Sequence, residues 1–318
     1  MARDVRMRGF KERTDVDDVV RWLDARQLEP TVRRVPLAEA EGRVLAEDLV
    51  SDVAVPSFRR SAMDGWAVHG EDTFGAAEND PLTLRIVGES MPGRPYTGPV
   101  GAGEAVRIMT GAEVPDAADA VLRAEDGSEA DAVLRVRTPV PPKKNVARVG
   151  EDIDQGAQVL ASGRRLRPQD LGVAASIGHG ELPVIVRPRV AILATGDELL
   201  PPGSRPGAAK IVDSNTPMLT ALVLRDHGIP LTGPIVRDGE ANVREALEDV
   251  QGDVVLVSGG SSVGKEDHAP GLVDELGELV FHGVAMRPAA PTGIGVIGRR
   301  LVFLLPGNPV SCLSAYDW

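Results

Sequence analysis

The hydrophobic pattern changes period along the chain. From residue 189 onward, short aliphatic runs (RVAIL at 189–193, DVVLV at 253–257, RRLVFLL at 299–305) alternate with segments of helical spacing. Such runs are too short for helices and rich in β-branched residues, and they suit strands covered on both faces. The segments TPMLTALVLRDHG (216–228) and GEANVREALEDV (239–250) read as helices, with Thr216 capping the first and Pro217 at its first helical position. KIVDSN and PLTGPIVRD are read as further strand–loop pieces, and another helix is expected from near Asp267 to Gly277. Alternating strand and helix predicts an α/β domain at 186–318, a doubly wound and mainly parallel sheet.

Upstream the pattern differs. Residues 12–27 have an amphipathic helix pattern through Val16, Val19, Val20, Leu23 and Leu28, with Thr14 or Asp15 as cap. LAEAEGRVLA (37–46) reads as a second helical piece, followed by the extended VAVPSFRR. Short strand-like runs separated by Gly, Pro and Asp turns fill 70–140, which predicts a small β domain. A helix is expected from Pro168 to Ile177. The expected organisation is multi-domain: an elongated N-terminal region (1–60 and 141–185), an inserted small β domain (61–140) and the α/β domain (186–318).

Composition narrows the function. The single cysteine, Cys312, excludes an internal disulfide, fits a reducing cytosol, and reads as a small buried hydrophobe. No stretch is long and apolar enough for a membrane span. A net charge of −12 argues against nucleic acid or a membrane surface as partner. No Cys/His cluster with zinc spacing and no Ser-His-Asp arrangement stands out.

The candidate chemistry lies at strand ends. In open parallel sheets, ligands bind beyond the carboxyl ends of the strands. There the chain carries Thr195-Gly196-Asp197-Glu198, Asp238, the loop VSGGSSVGKEDH (257–268) and Pro306-Gly307-Asn308-Pro309. Gly259 and Gly260 allow a sharp turn and a close ligand approach, while Ser258, Ser261 and Ser262 add hydroxyls. A helix beginning near Asp267 would aim free N–H groups at a phosphate or other oxyanion. One glycine loop is weak evidence; three on one sheet edge favour a ligand site. Acids beside an anion call for a bridging cation, and Mg²⁺ is the natural one. The competing structural reading is helix N-terminal charge for Asp197 and Glu198, and a cap for Asp267.

These loops come with further motifs. SAMDGWAV (61–68), RIMTGAEVPDAADAV (107–121), RVGEDI (148–153), TGDEL (195–199), DSN (213–215), GGSSVGKED (259–267) and PGNPVS (306–311) follow in order. Together they resemble the molybdopterin molybdenumtransferases, the family of bacterial MoeA and the gephyrin E domain, from about residue 14 to 318. The resemblance implies insertion of molybdate into adenylated molybdopterin, with Mg²⁺ and release of AMP. It places Asp64, Thr110, Asp152, Glu198, Asp238 and Asp267 at functional positions, the last three handling metal. Thr195, Gly196, Asp197, Ser214, Asn215, Gly259, Gly260, Ser261, Ser262, Gly264, Pro306, Gly307 and Asn308 fall at its pterin-binding loops. It further implies a cytoplasmic homodimer, with Asp64 and Thr110 completing a cleft, and makes molybdopterin adenylyltransferase a candidate partner.

The chain departs from the family pattern in places. Residues 288–291 read PAAP where a P-G-K-P segment is usual, so Ala290 replaces a lysine. Ala118 stands for a glycine, His268 for an aromatic residue, and Gly239 follows Asp238 in place of a second acid. The family continues past PGNPVS into a C-terminal β-barrel, and the sequence stops at Trp318. These departures keep two alternatives open: a weakened pterin-binding or scaffold paralogue, and an adenylyltransferase-like activity. The second is disfavoured by SAMDGWAV and the whole 30–180 region.

Overall fold

The structure, a computed structural model, describes residues 13–26, 30–207, 209–260 and 267–318. The chain forms two compact units, one from the chain up to Arg33 together with Ile185–Trp318, the other from Arg34–Val184.

The first unit is built on a six-stranded sheet. Its order is Ile229–Thr232, Arg189–Ala194, Val254–Ser258, Arg300–Leu305, Gly293–Ile297, Glu278–His282. The first four strands are mutually parallel, and the last two join antiparallel. Period-two alternation divides each strand between two cores. Ala191, Leu193, Val255, Val257, Val302 and Leu304 pack with Val243, Leu247, Leu272 and Val273 from helices Glu240–Asp249 and Ala269–Leu276. Val190, Ile192, Leu256 and Leu305 pack with Leu219, Val223 and Cys312 from helices Asn215–Arg225 and Pro309–Asp317. The sheet is therefore covered on both faces, as its unbroken aliphatic runs require. Each buried Leu, Ile or Val contributes about 1.5–3 kcal/mol. The helix Val16–Asp24 adds Val19 to a smaller cluster with Val284 and Ile294, and Trp22 meets Phe281 edge-on at 5.6 Å.

In the second unit, a six-stranded sheet runs in the order Ala120–Arg123, Gly65–Val68, Glu104–Ile108, Leu82–Ser90, Val133–Val136, Gly127–Ala130. Only the pairing of Leu82–Ser90 with Glu104–Ile108 is parallel. A separate core gathers Val35, Leu45, Leu49, Leu160, Leu166, Leu182 and Val184 around the helix Pro168–Ser176. Asp170, 3% exposed, fastens that helix by accepting from the Arg167 N–H and from the Arg164 and Arg167 guanidiniums.

Three expectations are corrected. LAEAEGRVLA yields only a single 3-10 turn, Leu37–Glu39. Beyond it Gly42 turns at a φ of +69°, and the N–H groups of Gly42 and Leu45 donate to Leu166 and Arg164. Tertiary pairing thus captures backbone groups that a helix would have used. KIVDSN gives a two-residue strand, Ile211–Val212, that pairs with Leu199–Leu200 outside the main sheet. The helix after it begins at Asn215, and its cap is the Asp213 carboxylate, not Thr216: Asp213 Oδ1 accepts from the N–H groups of Asn215 and Thr216, both at 3.0 Å.

Candidate active site

Strands Arg189–Ala194, Val254–Ser258 and Arg300–Leu305 are adjacent and parallel, so their carboxyl ends open on one sheet edge. The turns there are Thr195–Glu198, Ser258–Gly260 and Pro306–Asn308. Thr195 continues the ladder, its N–H donating to Ser258 at 2.9 Å. Gly259 turns at a φ of +92°, and a Cβ on it would lie 2.4 Å from the Thr195 carbonyl oxygen. A Cβ on Gly260 would lie 2.9 Å from Thr195 Oγ1. Glycine is therefore required here by contact as well as by backbone angle.

Asn215 ties the turns together. Its Nδ2 donates to Ser258 Oγ and to the Gly307 carbonyl, both at 2.8 Å. The carbonyl fixes the orientation of the amide, because only Nδ2 can donate to it. Among the described residues Asn215 Oδ1 is then left without a partner, as is Thr195 Oγ1, and both atoms are buried. Unsatisfied buried polar atoms cost about 1–3 kcal/mol each unless something binds them. Asn308 caps the last helix, Oδ1 accepting from the N–H groups of Val310 and Ser311. Cys312 in that helix is fully buried, and burial pushes its thiol up to about 11, in keeping with a packed apolar side chain.

The acids gather at the same edge. Asp197 and Asp238 exchange bonds: the Asp197 N–H donates to Asp238 Oδ2 and the Asp238 N–H to Asp197 Oδ1. The Glu198 carboxylate folds back over Gly196, where a Cβ would meet Oε2 at 2.5 Å. Lys210 Nζ donates to the Asp197 carbonyl. Among the described residues, no group of three or more His, Cys, Asp and Glu side chains is arranged to hold a metal ion. A Mg²⁺ here would be held by one or two carboxylates and completed by oxygens from outside the chain, because the described residues do not form an all-protein cage. Asp267 lies two residues before the helix Ala269–Leu276, with His268 at the cap position. Ser214 is at the N-cap position of its helix without a side-chain cap bond. Ser261, Ser262 and Gly264 lie outside the described residues.

The second unit has its own cluster. Asp64 Oδ1 accepts from Thr110 N at 2.7 Å and from Thr110 Oγ1 at 2.8 Å. The two bonds hold the Asp64 carboxyl below the usual carboxylate range. The Ser61 N–H donates to Ala112, and Gly111 donates back to Ser61, which sets the two segments in register. Arg60, adjacent to Ser61, pairs with Asp152 at 2.9 Å. Asp64, Thr110 and Asp152 are all exposed. Arg60, Lys210 and Asp213 were not singled out from sequence. Asp213 had a legible signal, since Asp two and three residues before helical N–H groups is a strong capping pattern.

Comparison with known proteins places this architecture. Residues 14–178 match the family model described as MoeA N-terminal region (domain I and II). Residues 191–318 match the one described as "Probable molybdopterin binding domain". Molybdopterin molybdenumtransferase 2 of Mycobacterium tuberculosis is 37% identical over 292 residues, covering 89% of this chain and 72% of the relative. Molybdopterin molybdenumtransferase of Haemophilus influenzae is 35% identical over 283 residues, 88% of this chain and 69% of the relative. The crystal structure of the molybdopterin biosynthesis MoeA protein from Pyrococcus horikosii superposes with a TM-score of 0.86 at 33% identity, over 96% of this chain and 78% of that one. The chain belongs to the molybdopterin molybdenumtransferase family.

Proposed function

We propose that the chain inserts molybdate into adenylated molybdopterin and releases AMP. The observation that carries this is the pair of buried polar atoms, Thr195 Oγ1 and Asn215 Oδ1, that have no partner among the described residues and lie among the three glycine-bearing turns. The names of the relatives supply the substrate class. On this reading Thr195, Gly196, Asn215, Gly259, Gly260 and Gly307 line the pterin-binding turns, and Asn308 and Asp213 hold those turns in place by capping. Glu198, Asp238 and Asp267 would hold Mg²⁺ together with phosphate oxygens, and bound there the ion would neutralise phosphate charge. Asp64, oriented by Thr110, accepts hydrogen bonds from the substrate and so orients it, and Asp152 is held for the same task by Arg60. A cytoplasmic homodimer, supplied by an adenylyltransferase, completes the proposal.

The test is equilibrium binding of adenylated molybdopterin to the chain and to Gly259→Val, whose side chain would meet the Thr195 carbonyl. Binding by the wild type and its loss in the variant support the site. Equal binding by both would move the ligand elsewhere.

A further inference from the structure

The strand-end turns carry more acid than base. Asp197, Glu198 and Asp238 stand at them with Arg237 beside Asp238, Asp213 precedes the helix Asn215–Arg225, and residues 288–291 are uncharged. The substrates proposed above are anions, and an anion is repelled by such an edge unless a cation meets it.

Lys210 brings one by way of the short parallel pairing. Ile211 donates to the Glu198 carbonyl and Asp213 to that of Leu200, both at 2.9 Å. This returns the 201–210 loop to the turn it left and sets Lys210 beside Glu198. The Lys210 ammonium donates to the Asp197 carbonyl. An ammonium has three donors, and a carbonyl takes one of them without neutralising the charge. The residue is exposed, and among the described residues no carboxylate is ion-paired with it. The Arg225 and Arg244 guanidiniums of the same unit are, by contrast, occupied by Asp226, Asp317, Glu240 and Glu275.

We propose that Lys210 is a substrate-binding residue of this site, anchored by the Asp197 carbonyl and offering its remaining donors to a phosphate oxygen of the nucleotide-bearing substrate. The proposal rests on the function given above. The competing role is anchorage of the 201–210 loop alone.

Two substitutions separate these roles. Lys210→Gln keeps an N–H donor for the Asp197 carbonyl and removes the charge; Lys210→Arg keeps both. AMP binding by titration calorimetry is the first readout, and kcat with KM for adenylated molybdopterin the second. Lys210→Gln should weaken AMP binding by about tenfold or more and raise KM, with kcat at saturation nearly unchanged. Lys210→Arg should restore most of the affinity. The AMP affinity of Lys210→Gln should also fall less steeply with salt than the wild type's. Thermal midpoints should match in all three proteins. If Lys210→Gln binds AMP as the wild type does, Lys210 only anchors its loop. If the wild type binds neither AMP nor adenylated molybdopterin, the pterin function itself is overturned, and the Lys210 role with it.

Discussion

Asp197 and Asp238 lock two strand ends to each other: the N–H of Asp197 donates to Asp238 Oδ2 at 3.0 Å, and that of Asp238 to Asp197 Oδ1 at 3.3 Å. Each carboxylate spends one oxygen on backbone, and on the proposed function the other oxygen of Asp238 would face Mg²⁺. Asp238→Asn retains an amide oxygen for the Asp197 N–H and loses the charge. It should leave the melting temperature close to wild type and lower Mg²⁺-dependent turnover at least about tenfold. Asp238→Ala should lose turnover and, in addition, about 0.5–1 kcal/mol of stability. Paired thermal melts and Mg²⁺ titrations of the two variants check this.

Asn215 joins Ser258 to Gly307 from a site only 7% exposed. Asn215→Ala removes both bonds, takes a donor from the buried Ser258 hydroxyl and should cost roughly 1–3 kcal/mol. Asn215→Asp has the same shape but no N–H for the Gly307 carbonyl, so it should destabilise as well. Denaturant midpoints distinguish this account from a simple volume effect, which predicts that Asn215→Asp is neutral.

Ala289 sits at a φ of +92° and is 3% exposed, in the loop where the sequence reads Pro-Ala-Ala-Pro. An L-residue is strained there, and Ala289→Gly should stabilise the chain by about 0.5–1 kcal/mol. A lower denaturant midpoint for Ala289→Gly would show that the lost methyl packing outweighs the relieved strain.

The fold was legible where hydrophobic period and burial agree. The runs Arg189–Ala194, Val254–Ser258 and Arg300–Leu305 are covered on both faces and read directly as parallel strands. LAEAEGRVLA misled because its helical spacing competes with long-range pairing to Leu166 and Arg164, which no local pattern shows. In the site, glycines and acids announced themselves by type and position. Lys210 did not, because its place depends on a two-residue parallel pairing too short to leave a period. The Asn215 bridge has the same origin: its partners are 43 and 92 residues away.

Asp170 predicts an acid-labile second unit. Its carboxyl is lowered to about 2, chiefly by the Arg164 guanidinium and then by Arg167. A lowered folded-state value contributes stability that is complete above the ordinary Asp range and is lost as pH falls through about 2. Stability should therefore decline between about pH 4 and pH 2, and Asp170→Asn should flatten that decline while costing about 2–3 kcal/mol at neutral pH. Denaturant unfolding at stepped pH checks both the slope and its sign.

The central claim is tested most directly by incubating the purified chain with adenylated molybdopterin and Mg²⁺, with and without molybdate, and measuring AMP. Molybdate-dependent AMP release is the predicted result. Tight pterin binding with no release, or release indifferent to molybdate, would contradict the proposed transferase function.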